Sequence, residues 1–437
     1  MQVNSYYPIQ TSLYGARIST YQIMIWLCAL SAILSMNPYF VWNTYHKGVL
    51  SNVVYIIVSI SILLLFQKVI CMGKVRADYF LVAISLLIIY IYMFIIRAGE
   101  DGFQTKVLYG KLLMFVFMAL FVMLPKYIKK DIYEKFLLIF IISMIPGLLY
   151  GMLELLGGSI NYKLLEPESA AKVLADYYYK LYPGAVIWLS ANTRLSGIFD
   201  EPGMVGTVAG LMLVANGIKL NKNWKNILLL ICGVCSLSLA FYTIVLIALC
   251  LRCIKRQQWK LFAIILGVII VYFTILAVRI DNPTFIKLQE RLTISDGEFL
   301  GNNRLTSKFD YEYQKFISGD IKYKLFGLGR NASSNNPKMY GSSSYKMIIY
   351  DYGYFGFIIM LIWITFSFHI ENGKKILKYW EAYVLLAVFL ASLYQRPSIY
   401  FIYYIVILLG GSSSIYIHAN SVNKYEKNFD LNIINMK

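Results

Sequence analysis

Histidine is almost missing from this chain. There are three in 437 residues (His46, His369 and His418), and none falls in its two long polar segments, 157–201 and 279–345. Chemistry there has no imidazole base, nucleophile or metal ligand to draw on. Charge is scarce as well, at 15% of residues against 59% apolar, with a mean hydropathy of +0.60. A soluble domain carries about a quarter charged residues, so these proportions belong to a polytopic membrane protein. Cysteine is absent from both polar segments, which excludes a structural disulfide within them. Cys232-x-x-Cys235 and Cys250-x-x-Cys253 approach the spacing of a four-cysteine zinc site. They lie in one long apolar run, however, where free cysteine packs as a small hydrophobe, so neither a metal nor a cofactor is expected. Coiled-coil heptads, low-complexity tracts and internal repeats are lacking too. The first apolar run, Gln22 to Met36, has no small-residue cleavage site after it and reads as a first span.

What the chain has in quantity is apolar runs. Candidate spans are 20–36, 49–67, 79–96, 107–124, 135–156, 202–218, 226–251, 261–278, 346–368, 379–394 and 398–417. Basic clusters at 68–78, 125–130, 219–225, 252–260 and 374–378 alternate with loops poor in Lys and Arg. Positive-inside charge bias then places these clusters and both termini in the cytoplasm, and both polar segments outside. The net charge of +18 is thus an orientation signal, and no basic patch points to nucleic acid. One run, 226–251, is flanked by basic clusters on both sides, so a single crossing fails. Either it breaks near Ser236-Leu237-Ser238 into a hairpin of short helices, or 202–218 does not cross. The hairpin is the preferred solution. The expected fold is all-α: one polytopic membrane domain, 1–437, of about twelve helices, with outer loops at 157–201 and 279–345.

The first loop contains Pro167 followed by ESAAKVLADYYYKL, which predicts a short interfacial helix. It ends RLSGIFDEPG, from Arg194 to Gly203. Asp200, Glu201 and Pro202 suit a helix start without any further role. Arg194 does not, because a cation meets an unfavourable dipole there; an arginine converging on a helix N-terminus suits a phosphate. The second loop, 279–345, carries ten Lys or Arg against seven acids. From Arg304 onward, Leu305, Phe309, Tyr313 and Phe316 fall on one helical face. FGLGR (326–330) and the hydroxyl-rich approach to the next span supply glycines that let backbone donors come close to a ligand.

Three stretches carry a family likeness. The first loop ends R-x-x-G-x-F-x-E-P (Arg194 to Pro202). The second holds NRLxxxFxxxxxxF (Asn303 to Phe316), then FGLG. The following span contains Y-G-x-x-G (Tyr352 to Gly356). In this order and sidedness the chain resembles the Wzy-type O-antigen polymerases and the related O-antigen ligases. Where the ligases show His-Asn, this chain has Ser342 and Ser343, and Glu201-Pro202-Gly203 replaces their Asn-Pro-Asn, so the likeness favours the polymerases. It implies a GT-C-like helical fold in the bacterial cytoplasmic membrane, with its site facing the periplasm. It also implies metal-independent, inverting transfer of a glycan from undecaprenyl diphosphate onto a second lipid-linked repeat unit, and a chain-length regulator as a protein partner. Arg194, Arg304 and Arg330 are then the candidate diphosphate ligands. Glu201 or Asp200 is the candidate base, with Asp351 behind them. A polysaccharide flippase or other transporter is the competing class.

Overall fold

In the computed structural model, the residues described are 19–42, 47–73, 75–99, 105–156, 160–165, 178–188, 194–221, 223–260, 262–264, 267, 294–295, 298–299, 307–339, 344–373, 379–394, 396–397 and 400–420. The expected span 261–278 lies almost wholly outside them, as do Arg304, Ser342 and Ser343.

The chain is mostly helical. Its larger helices are α1 (Thr20–Leu34), α3 (Lys47–Cys71), α4 (Ala77–Tyr90, running on to Ile96), α5 (Thr105–Met123) and α6 (Lys126–Leu155), with the short α2 (Tyr39–Trp42) between the first two. Then come α7 (Pro202–Ala215), α8 (Trp224–Cys235) and α9 (Leu239–Arg256). The second polar segment contributes α10 (Ser307–Ser318), α11 (Ile321–Phe326) and α12 (Ala332–Asn335). The long α13 (Tyr345–Asn372), α14 (Trp380–Ser392) and α15 (Ile402–Ile405, continuing helical to Asn420) follow. Among the described residues, five helices are long and apolar enough to cross a membrane: Leu50–Cys71, Ala77–Ile96, Lys126–Glu154, Tyr345–Asn372 and Ile402–Asn420. The first of these has a hydropathy of 2.4 although only 17% of it is buried, the outward-facing apolar surface that a lipid environment accepts and water does not.

Contacts across the bundle give it two distinct ends. At the basic end, Tyr21 meets Asp131, Lys129 meets Glu371, Lys219 meets His418, and Arg252 meets Glu381. The described parts of four of the five basic clusters gather there, and the fifth, 374–378, lies outside the described residues. At the other, loop end sit Lys180 of the first polar segment and Gly327 of the second, since Glu154 at the far end of α6 holds Lys180 and Arg97 at the far end of α4 holds the Gly327 carbonyl.

The run between Asn223 and Gln257 folds as a hairpin. α8 ends at Cys235, Leu237 takes a left-handed φ of 46°, and α9 starts at Leu239. Its start packs beside Asn216 at the basic end, its tip lies on Gly206 near the opposite end of α7, and Arg252 returns to the Val214 carbonyl. Both flanking basic clusters therefore reach the same end, as the hairpin solution requires. The two cysteine pairs are drawn apart by it. Cys250 stands 11 residues along α9, about 16 Å from the tip beside Cys235.

One sequence expectation fails. Tyr179–Leu181, the tail of the helix predicted from Pro167, lies in strand β2 (Tyr179–Tyr182), paired antiparallel with β1 (Lys163–Leu165) and β3 (Ala185–Trp188). The helical pattern was outweighed by the turn that follows. Pro183-Gly184 joins β2 to β3 as a two-residue connection, with Gly184 at φ 75°, a conformation that proline before and glycine after favour. The rest of that predicted helix, 167–177, lies outside the described residues. A second small pairing joins β4 (Ile294–Ser295) to β5 (Glu298–Phe299), so the helical fold carries two minor sheets.

Candidate functional site

The loop-end site is built from four places in the chain, and the RLSGIFDEPG segment is the first. Val186 and Tyr39 donate their amides to the Gly197 and Ile198 carbonyls at 2.7 and 2.8 Å, and the Tyr179 hydroxyl donates to the Asp200 carbonyl at 2.9 Å. Pro202 opens α7 in the first-turn position its fixed φ suits, with Glu201 extended at the N-cap. The Glu201 carboxylate makes no cap bond; it accepts from the Arg396 guanidinium, in the connection between α14 and α15. The two side chains are 27% and 16% exposed, so the pair is largely withdrawn from water but not sealed.

Arg194 binds the end of α8. Its Nε donates to the Ser236 carbonyl at 3.1 Å and its Nη2 to the Leu237 carbonyl at 3.2 Å, while the Leu195 amide donates to the Cys235 carbonyl at 3.0 Å. These are the orphan carbonyls where α8 ends, the negative pole of that helix. The dipole that made Arg194 puzzling in the sequence is thus reversed: the cation sits at a helix C-terminus and holds the hairpin tip.

The second polar segment docks on a kink. α13 is interrupted at Gly353 (φ 71°, ψ 177°), which strands carbonyls of the turn before it. Leu328 and Gly329 donate their amides to the Tyr350 and Asp351 carbonyls, each at 2.9 Å, and the Tyr92 hydroxyl donates to the Tyr352 carbonyl at 3.0 Å. A Cβ on Gly353 would stand 2.1 Å from the Leu325 carbonyl oxygen, so this crossing admits only glycine. The glycines of FGLGR bring two backbones together, and two of its amides are occupied by α13. Phe309, Tyr313 and Phe316 face inward from α10, and Phe316 packs against Tyr350 with ring centroids 5.1 Å apart.

Asp351 and Arg330 both lie at this crossing. The Asp351 carboxylate accepts from the Ser333 amide at 2.7 Å and from its hydroxyl at 3.1 Å, securing the first turn of α12. The Arg330 amide donates to the Arg97 carbonyl at 2.8 Å, and its side chain is 2% exposed, within electrostatic reach of Tyr90 and Tyr352. Tyr352 in turn lies in range of Tyr400, whose ring packs on Phe115 at 5.0 Å. Aromatic residues thus lead from Arg330 to Tyr400, four positions from Arg396 in the chain.

Of the sequence-predicted residues, then, Glu201 is a partly exposed and Arg330 a buried charged group at the loop end. Arg194 and Asp351 are committed to backbone, Asp200 contributes its carbonyl to the fold, and Arg304 is not among the described residues. Sequence reasoning passed over two cations. Arg396 lies in the short connection QRPS, a place poor in charge, and Lys111 is a lone charge inside VLYGKLLMFVFMALFVM. A single cation in an otherwise apolar stretch was the signal available for both. Compared with known proteins, the chain matches no family model, no curated protein and no solved structure.

Proposed function

We propose that the chain polymerises lipid-linked oligosaccharide repeat units at its loop end, which faces outward from a bacterial cytoplasmic membrane. In this reading the bundle has about twelve spans of GT-C-like arrangement. The donor is a glycan on undecaprenyl diphosphate, and the acceptor is the hydroxyl of a second lipid-linked unit. The acceptor oxygen attacks the anomeric carbon, the bond to the diphosphate breaks, the configuration inverts, and the hydroxyl proton passes to a carboxylate. Arginines stabilise the departing diphosphate as a metal ion does elsewhere, with no metal required.

The observation that carries the reading is the Glu201–Arg396 pair. A carboxylate held by a guanidinium is a weak base, since the cation favours its ionised form. A diphosphate offers Arg396 a stronger, doubly charged partner. Its arrival draws Arg396 off and leaves Glu201 basic in a water-poor site, so that base and bound donor appear together. Arg330 is the second diphosphate ligand in this scheme, and Arg304 the third. Arg194 acts by fixing the segment that carries Glu201.

A transporter reading draws on Lys129 and Glu371, an ion pair at 2.5 Å with side chains 0% and 1% exposed, since buried charge within spans marks many translocation pathways. That pair lies at the basic end, beside the Ser413 hydroxyl, and away from the bundle's middle where alternating-access sites form. Complementation of a polymerase-null strain tests the choice. Glu201→Gln, Arg194→Ala and Arg304→Ala at matched expression are expected to leave short, unpolymerised surface glycans on a gel. Normal long chains from all three would overturn the polymerase, and lipid-linked units trapped on the cytoplasmic face of a null strain would favour the transporter.

A further inference from the structure

Lys111 has no place in the scheme above. It lies six residues into α5 from the loop end, about 9 Å along the helix axis, with Leu112, Leu113, Met114 and Phe115 after it. A lysine near a membrane boundary ordinarily snorkels, extending its stem toward water. This one does not. Its ammonium rests over the Phe401 ring, 4.7 Å from the centroid, deep among the bundle helices yet partly accessible. Among the described residues no carboxylate lies within ion-pair reach of it. Three other interior cations differ: Lys129 has Glu371, Arg252 has Glu381 and Arg396 has Glu201.

A single aromatic face returns less than the cost of withdrawing an ammonium from water. Among the described residues, therefore, no anion offsets that cost. The surroundings select the kind. Phe401 packs on Tyr403 with centroids 5.8 Å apart, and Tyr403 lies within electrostatic reach of both Arg396 and Asp200, so the ring lies between Lys111 and charges of both signs. On the same helix Val107, one turn before Lys111, and the adjacent Leu112 are exposed at 36% and 37%, giving an apolar surface beside the charge.

We propose that Lys111 and Phe401 form a seat for the phosphate of an anionic lipid, its hydrocarbon lying along the exposed face of α5. Where that lipid is the polyprenyl-diphosphate substrate, the assignment rests on the function proposed above; where it is a bilayer phospholipid, it does not.

The test uses the purified full chain in neutral detergent with three probes: undecaprenyl diphosphate, phosphatidylglycerol and inorganic pyrophosphate. Native mass spectrometry reads affinity and thermal unfolding reads stability, for the wild type, Lys111→Met, Lys111→Arg and Phe401→Leu. Lys111→Met keeps the apolar stem and is expected to weaken lipid binding at least about tenfold, with Lys111→Arg close to wild type. Without lipid, Lys111→Met should unfold at or above the wild-type temperature, because an unpartnered buried charge has been removed. Phe401→Leu should weaken binding less. Loss confined to phosphatidylglycerol assigns the seat to a bilayer lipid, and loss with undecaprenyl diphosphate assigns it to the substrate; either supports it. The proposal is overturned if Lys111→Met binds both lipids as the wild type does, if neither lipid binds, if pyrophosphate binds as tightly, or if Lys111→Met is less stable without lipid. A silent Lys111→Met beside an inactive Glu201→Gln would remove the seat and leave the polymerase standing. A lipid-binding defect in a chain that polymerises nothing would do the reverse.

Discussion

At the loop end, the first polar segment and the second solve one problem with different chemistry. Each meets a helix interrupted at that end, with carbonyls left unsatisfied. The first reaches them with a side chain, Arg194 donating to Ser236 and Leu237. The second reaches them with backbone, Leu328 and Gly329 donating to Tyr350 and Asp351. A guanidinium works at a distance, and the neighbouring carboxylate, Glu201, pairs with Arg396 across the site. Amides require the backbones to touch, which demands glycine at 353, and the nearby carboxylate of Asp351 is taken up by Ser333. Two acids that look alike in the sequence are therefore unequal. One is held by an exchangeable ion pair, the other by the fold.

Breaking the ion pair should have the largest effect. Arg396→Met takes the guanidinium away from a mostly buried Glu201 carboxylate, a change that costs about 3–5 kcal/mol in stability and should abolish long-chain polysaccharide. The double variant Glu201→Gln with Arg396→Met should regain most of the unfolding temperature in detergent and none of the polymer. If the double variant also regains polymer, Glu201 is not the base, and the contrast between the two acids collapses.

The two anchoring devices come next. Gly353→Ala combines a left-handed backbone with a Cβ overlapping the Leu325 carbonyl, so a loss of about 3 kcal/mol is expected. Arg194→Met removes two charge-assisted bonds to carbonyls at the hairpin tip, for roughly 1.5–3 kcal/mol. Arg194→Lys should fall between Arg194→Met and the wild type, since one ammonium does not reproduce the two-pronged reach of a guanidinium. Thermal unfolding of the detergent-purified chain measures both. Equal losses at the two positions would mean that the backbone anchor tolerates more than its geometry implies.

Much of this was legible in residue order. The broken run at Ser236–Ser238 followed from two basic clusters that one crossing could not serve, because charge sidedness constrains topology without reference to tertiary contacts. The inward face of α10 followed from helical spacing at Phe309, Tyr313 and Phe316. The start of α7 at Pro202 was written in the residues themselves. What could not be read was the partner of each charge. Arg194 and Ser236 are 42 positions apart, and Glu201 and Arg396 are 195 apart. Nothing local distinguishes a guanidinium aimed at a carbonyl from one aimed at a phosphate. β2 was misread for a related reason: the helical pattern before it was local, whereas its strand character came from pairing on both sides.

The contrast between the acids is sharpened by a milder change. Asp351→Asn keeps one acceptor oxygen for the Ser333 amide and should cost about 1 kcal/mol, with polymer output above roughly half of wild type, against none for Glu201→Gln. Polymer lost from Asp351→Asn at wild-type stability would move the base to the second segment and reduce Glu201 to a partner for Arg396.

The smallest effect asks whether charge contributes at all to holding the second segment. Lys338 donates to Glu312 at 2.9 Å and, as the main cause, holds that carboxyl below the usual carboxylate range. A carboxyl with a lowered folded pKa contributes stability in full above its unfolded value, about 4.3, and loses it as pH falls through the folded one. The unfolding temperature of the wild type should therefore exceed that of Glu312→Gln slightly at pH 7, and the gap should close below about pH 4. It should stay small, because Lys338 is 63% exposed and water screens the pair. A gap that persists in acid would assign the contact to packing or a neutral hydrogen bond. A large gap at pH 7 would mean that the second segment, like the first, depends on an ion pair, and that glycine at 353 is not its main anchor.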